Sequence, residues 1–143
     1  MTIARLIEGR DASAIICCDA GMCVRDAVAL LADKRIGALP VTRDGKVAGI
    51  FSERDVIYQL RTHGPAMLDK TVEEVMTAPA VTASPDTAII SALALMTRRR
   101  IRHLPVLSGD AMVGFISIGD LVKFRIDGIE SEAEAMRAYI QAS

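Results

Sequence analysis

The chain lacks an excess of either charge: Lys and Arg number 17 against 18 for Asp and Glu, a formal net charge of −1 over 143 residues. A near-neutral chain has no general attraction for nucleic acid or for acidic membranes, so neither is expected as a partner. Long apolar runs are missing as well. The most apolar stretch, Thr87–Thr97 (TAIISALALMT), is about half the ~20 residues that span a bilayer. The opening MTIARLIEGRDAS interrupts every apolar stretch with charge, unlike a secretory signal. A cytoplasmic protein is expected.

Cysteine is scarce and wrongly spaced for structural roles. Cys17, Cys18 and Cys23 form a CC-x4-C cluster, which is not the paired spacing of a zinc site, and an odd count argues against a disulfide scaffold. Small apolar side chains packed in a reducing compartment are the expected reading, with a redox-sensing thiol as the alternative.

What the chain does have is a repeat. Shifted by 65 positions, RIGALPV (Arg35–Val41) falls on RIRHLPV (Arg100–Val106), and GIFSERD (Gly49–Asp55) falls on GFISIGD (Gly114–Asp120) without a gap. Ala27, Ala29, Leu30, Arg35, Ile36, Leu39, Pro40, Val41, Gly49, Ser52 and Asp55 are all identical to their counterparts. Two structurally equivalent halves follow.

Each half reads as β-α-β-β-α. A short strand (Ala14–Cys17; Ala80–Thr82) precedes a turn, which in the second half is Ser84-Pro85-Asp86, with Ser as helix N-cap and Pro at the first helical position. Apolar residues at Val24, Ala27, Val28 and Leu31, and at Ile89, Ala92, Leu93 and Met96, mark one face of a helix. Strands Ala38–Thr42 and Val47–Phe51 flank the turn Arg43–Lys46; His103–Leu107 and Met112–Ile116 flank Ser108–Asp110. A final helix follows each second strand. Arg61–Lys70, with His63-Gly64-Pro65, loses periodicity and reads as a linker.

A unit of roughly 50 residues buries too little apolar surface to stand alone. The expected fold is α+β, two such units packed about a pseudo-twofold axis with two equivalent clefts at the seam. The expected segments are repeat 1 (1–62), linker (63–70), repeat 2 (71–126) and a C-terminal helical extension (127–143).

Both halves carry G-h-h-S-x-x-D, h being apolar, where the last strand meets the last helix. S-x-x-D before a helix is an ordinary capping arrangement. Each copy also follows a Gly that permits close approach to the backbone, and a helix N-terminus presents free N–H groups. A carboxylate at Asp55 or Asp120 would repel phosphate yet accept the two hydroxyls of a ribose. Capping and binding can coexist.

A tandem β-α-β-β-α unit, with h-P-V on the middle strand and G-h-h-S-x-x-D after the last, resembles a pair of cystathionine-β-synthase (CBS) domains, from about Ala12 to Arg125. The resemblance implies a small stand-alone, non-catalytic sensor that binds an adenine nucleotide and needs no other cofactor or metal. AMP is the foremost candidate, with ADP, ATP, NAD(H) and S-adenosylmethionine sharing the adenosine. It also implies roles: Asp55 with Ser52, and Asp120 with Ser117, on ribose or phosphate. Adenine would lie between Ala14–Ile16 or Pro79–Val81 (Ile16, Ala80 and Val81 foremost) and the h-P-V residues Leu39-Pro40 and Leu104-Pro105. Family members often carry basic residues just before h-P-V. Arg102 and His103 match, whereas the first repeat has Gly37 and Ala38 there. The phosphate-binding cleft is therefore expected to join Ser52 and Asp55 to Arg102 and His103.

Arg98–Arg100 suit the C-terminal turn of a helix, with one of them able to reach a phosphate. Beyond the second motif, Val122, Ile126, Ile129, Ala133, Met136 and Ile140 are spaced 4, 3, 4, 3, 4, the seam of a helical contact. That seam packs either on its own domain or on a second chain, since CBS pairs commonly form flat homodimers. Three classes of function stand: a nucleotide sensor, a partner-binding module with vestigial clefts, and an enzyme. The last has no visible nucleophile–base–orienter set.

Overall fold

The computed structural model describes residues 1–142 and is a mixed α/β structure with two small sheets. In chain order the elements are α1 (Ile3–Ile7), β1 (Cys18–Asp19), α2 (Val24–Lys34), β2 (Ala38–Arg43), β3 (Lys46–Ser52), α3 (Glu53–His63), α4 (Val72–Val75), α5 (Ile89–Arg99), β4 (His103–Ser108), β5 (Ala111–Ser117) and α6 (Ile118–Ala142). One sheet runs β1-β2-β3 and the other β4-β5.

The repeat is visible in the register. β2 and β3 pair antiparallel from Ala38↔Ser52 to Arg43↔Lys46, with a bulge between Val41 and Thr42. β4 and β5 pair from His103↔Ser117 to Ser108↔Ala111, with the same irregularity between Val106 and Leu107. Helices α2 and α5 bury the residues that the helical spacing selects: Val24, Ala27 and Leu31 in one, Ile89, Ala92 and Met96 in the other. Both helices end on an arginine in the left-handed region, Arg35 (φ 53) and Arg100 (φ 55).

Each half owns a core, and each core is completed by a segment that precedes the other half in sequence. Ile3 and Leu6 of α1 join Ile89, Ala92, Met96, Leu104, Val106, Ile116 and Leu121 in the second core. Met67, Val72 and Val75 join Val24, Leu31, Leu39, Val41 and Phe51 in the first. The exchange is reciprocal in its hydrogen bonds: Val24 N–H donates to Lys70 O (2.8 Å) and Ile89 N–H to Met1 O (3.0 Å). Fully burying a side chain such as Ile3 or Met67 stabilises by about 1.5–3 kcal/mol, so neither half holds together well without the other's leading segment.

Several local expectations are corrected. The stretch Ala14–Cys17 is not a strand: a 3-10 turn covers Ala12–Ala14, and the two-residue β1 begins at Cys18, pairing parallel with Val41 and Thr42. Ala80–Thr82 is likewise outside the ladder; contact is a single bridge from Ala83 to Val106. Helix α5 starts at Ile89 rather than at Ser84, with Ala88 as its N-cap. The physical reason is the N-terminal arm. Thr2 bridges Ala88, and Met1 O takes the Ile89 amide, while Ser84 and Thr87 close a separate turn. The linker Arg61–Lys70 is not loose either. α3 runs through His63, a 3-10 stretch spans Gly64–Asp69, and Met67 is fully buried. The apolar triplet Ala66–Leu68 is too short to show a period.

Burial also settles the cysteines' environment: Cys18 lies in the first core, and desolvation, aided by Cys17 and Asp19, pushes its thiol up to about 11. The C-terminal extension continues α6 without a break to Ala142, and Ser143 lies outside the described residues.

Candidate functional site

The two G-h-h-S-x-x-D motifs close their helices as capping boxes, and the two boxes differ. In the second, Ser117 N–H donates to Asp120 Oδ2 (2.9 Å) and Asp120 N–H donates to Ser117 Oγ (3.0 Å). In the first, Ser52 N–H donates to Asp55 Oδ2 (2.9 Å), and the Ser52 hydroxyl also points at that oxygen (3.2 Å). Asp55 Oδ1 then accepts Thr77 Oγ1–H (2.9 Å). Asp55 is the one buried charged residue among those described, at 9% exposure. Asp120 keeps 35% of its side chain exposed and faces Arg10 at 3.6 Å.

Within each motif the side chains alternate, as a strand requires. Phe51 and Ile116 point into the cores and are fully buried. Ile50 and Phe115, one residue earlier, face the seam, and each lines a cleft.

The larger cleft has a volume of about 750 Å³. It brings together Ser52 and Asp55 from the β3–α3 junction, Ala80 and Val81 from the segment before α5, and Arg102 and His103 from the start of β4. These six are sequence-selected residues from three separate segments. Arg54, Arg99, Ile101 and Thr77 also line it. Arg54 Nη1–H donates to Arg100 O (2.9 Å), tying the start of α3 to the end of α5.

The smaller cleft, about 280 Å³, is lined by Ile16, Ser117 and Asp120 together with Ile36, Ala38 and Phe115. His103 lines this cleft as well as the larger one, and so does its repeat counterpart Ala38. The His103 ring stacks on Phe115 with centroids 5.5 Å apart and planes 13° from parallel. Burial holds the imidazole below its ordinary range; neighbouring Arg102 lowers it further, and Asp120 and Glu53 pull the other way. The position equivalent to Arg102 is Gly37, where a Cβ would come within 2.6 Å of Glu53 Oε1. The acid occupies the space that a basic side chain would need.

Leu39, Pro40, Leu104 and Pro105 do not line either cleft. Leu39 and Leu104 are fully buried in the cores, and both prolines are buried in the central strands. The apolar walls come instead from Ile50, Ile57 and Ile101 in the larger cleft and from Ile15, Ile36 and Phe115 in the smaller. Strand alternation could have found Ile50 and Phe115, since the residue beside a core residue faces the opposite way. Thr77 had no such signal, because it lies in an irregular segment. His63, read as a polar linker residue, is exposed at the end of α3.

Comparisons with known proteins bear on the family and the fold. The CBS domain family matches residues 12–62 and again 72–127. The mitochondrial CBS domain-containing protein CBSX3 of Arabidopsis thaliana is 36% identical over 123 residues, 82% of this chain; the chain spans 60% of that relative's length. A solved CBS-domain protein from Burkholderia ambifaria superposes with a TM-score of 0.82 at 38% identity, covering 89% of this chain and 95% of the other. CBSX2, crystallised in complex with AMP, shares the fold with a TM-score of 0.74 at 23% identity, over 88% of this chain and 96% of its own. Two family matches spaced like the internal repeat, together with a paired fold, make this chain a tandem member of the CBS-domain family.

Proposed function

We propose that the chain is a non-catalytic sensor module that binds an adenine nucleotide, AMP foremost, in the larger cleft. The observation that carries this reading is the convergence of Ser52, Asp55, Ala80, Val81, Arg102 and His103 on one 750 Å³ cavity. That volume lies within the range of small-molecule sites. The lining offers the Asp55 carboxylate for ribose hydroxyls and Arg54, Arg99 and Arg102 as cations for phosphate. The AMP complex of the similarly folded CBSX2 supports the ligand class. ADP, ATP and NAD(H) present the same adenosine and remain within the proposal. Ser52 and Ser117 are engaged in caps, which fits binding rather than turnover. The three free cysteines fit a reducing compartment, and we keep the cytoplasm as the proposed location.

A homodimer is part of the proposal. Exposed apolar side chains on α3 (Ile57, Tyr58, Leu60), α5 (Ile90) and α6 (Val122, Ile126) form a helical surface that a twofold contact would cover with itself. Light scattering should return about 31 kDa, twice the 15.3 kDa chain, and a monomer at micromolar concentration with and without AMP would remove the dimer.

One observation favours a second reading. Asp55 already accepts three hydrogen bonds from its own chain, as a purely structural cap would, and the module would then bind a protein partner with its clefts vestigial. Titration calorimetry separates the two. Arg102→Ala should weaken AMP roughly tenfold, the loss of about one charge-assisted hydrogen bond, while leaving adenosine nearly unchanged. If neither AMP, ADP, ATP, NAD(H) nor adenosine binds the wild type, the nucleotide reading fails.

A further inference from the structure

The second family match ends at residue 127, and α6 runs on to Ala142. One face of this helix is covered by its own chain. Leu121 is fully buried, Phe124 packs on the second core, and a Cβ at Gly128 would come within 2.8 Å of Met1 Cε. The apolar seam lies on another face. Val122, Ile126, Ile129, Met136 and Ile140 are 42%, 49%, 49%, 60% and 64% exposed, a row too long and regular for isolated surface residues. The seam therefore does not pack back on its own domain.

The charges beside the seam are ordered by sign. With the seam residues at the a and d positions of a heptad, Lys123 and Glu130 flank one side and Arg125 and Glu132 the other. All four are exposed, and among the described residues none forms an ion pair within its own chain. Set two such helices antiparallel with Ile126 against Ile129 of a second copy. Ala133 then meets Val122, Lys123 meets Glu130, and Arg125 meets Glu132, each contact occurring twice by symmetry. A parallel pairing would also make two pairs, Arg125–Glu130 and Glu132–Arg137, but it leaves Lys123 facing no acid and sets Ala133 against its own copy, which makes a gap between larger side chains. A slip of one heptad in the antiparallel register sets Lys123 on Arg137 and Glu130 on itself.

We propose that α6 docks antiparallel on α6 of a second copy of this chain, centred between Ile126 and Ile129, with Lys123–Glu130 and Arg125–Glu132 pairs fixing orientation and register. This deepens the dimer reading above and does not depend on nucleotide binding. It assigns the extension a role that the matched domains do not cover.

Analytical ultracentrifugation of the full chain tests it. Lys123→Glu and Glu130→Lys should each weaken dimerisation about tenfold, since two symmetry-related exposed pairs become repulsive. The double variant K123E/E130K should restore wild-type affinity, and Arg137→Glu, unpaired in this register, should change nothing. Circular dichroism and AMP affinity should stay at wild-type values in all four variants. A dimer constant unmoved by both single variants would overturn the seam while leaving the helical-layer dimer intact. Failure of the double variant to recover, or weakening by Arg137→Glu, would overturn the antiparallel register. A monomeric wild type would overturn both this proposal and the dimer.

Discussion

The two clefts occupy equivalent places in the repeat, yet their linings differ in chemistry. In the larger one the motif carboxylate, Asp55, is buried and held by Ser52 and Thr77, while Arg102, Arg99 and Arg54 supply positive charge along the walls. In the smaller one Asp120 is a third exposed and faces Arg10, and Ile16, Ile36 and Phe115 share the lining with it. Duplication supplied two caps of the same kind. Divergence outside the caps, at Arg10 and Thr77 and at the Gly37/Arg102 position, left the two clefts with different volumes and different charged neighbours.

The largest effect is expected at the two carboxylates. Asp55→Ala should weaken AMP by about 1.5–3 kcal/mol, roughly ten- to hundredfold. It should also lower thermal stability, because the Thr77 hydroxyl and the Ser52 amide lose their acceptor. Asp120→Ala removes a half-open cap and should cost the fold about 1 kcal/mol, with little change in AMP affinity. Asp55→Asn keeps the cap's shape and checks that lost binding does not merely reflect unfolding. Equal losses of AMP affinity at the two aspartates would erase the difference between the clefts.

The repeat glycines sharpen the comparison at the level of packing. A Cβ at Gly49 would come within 2.6 Å of the Thr77 carbonyl, whose residue exchanges two backbone hydrogen bonds with Ile50. At Gly114 the nearest atom is the Ile7 Cγ2 methyl at 3.1 Å, a side chain that can give. Gly49→Ala should therefore destabilise by about 1–3 kcal/mol, the range for overpacking, and Gly114→Ala by clearly less. Denaturant titrations of the two variants compare them directly, and equal costs would mean that the backbone of Thr77 yields as easily as a methyl group.

The smallest effect is a pH dependence centred on His103, the titratable residue that lines both clefts. Burial lowers the folded-state pKa of His103 below its ordinary value of about 6.5. The unfolded chain therefore binds the proton more readily, and stability is lost as pH falls from about 6.5 toward the lowered folded value. Above 6.5 the imidazole is neutral in both states and contributes no slope. His103→Gln should flatten the stability curve between pH 7 and the lowered value. A wild-type slope that persists unchanged in the variant would assign it to other groups.

Much of this could be read before any coordinates. The h-P-V and G-h-h-S-x-x-D copies located the central hairpins, and the helix stripes named their buried faces. Leu39 and Leu104 were misplaced because an apolar residue beside a motif looks the same whether it faces a core or a cavity. Thr77 and Arg10 were not found because both lie in irregular segments between the named strands and helices, where no period marks a side chain.

The division has a physical basis. Sequence by itself determined what depends on neighbours along the chain: the 65-residue repeat, strand alternation, helix stripes and the caps set by Ser52 and Ser117. Tertiary structure decided which segment closes which core. The bridges Thr2–Ala88 and Cys23–Thr71 are equivalent, but Cys23 and Ala88 are 65 positions apart while Thr2 and Thr71 are 69 apart. That four-residue slip hides the leading segments from an ungapped overlay. Short helices such as α1 and α4 have too few turns to show a period, and they form because each core has an apolar gap that only the other half's leading segment can reach.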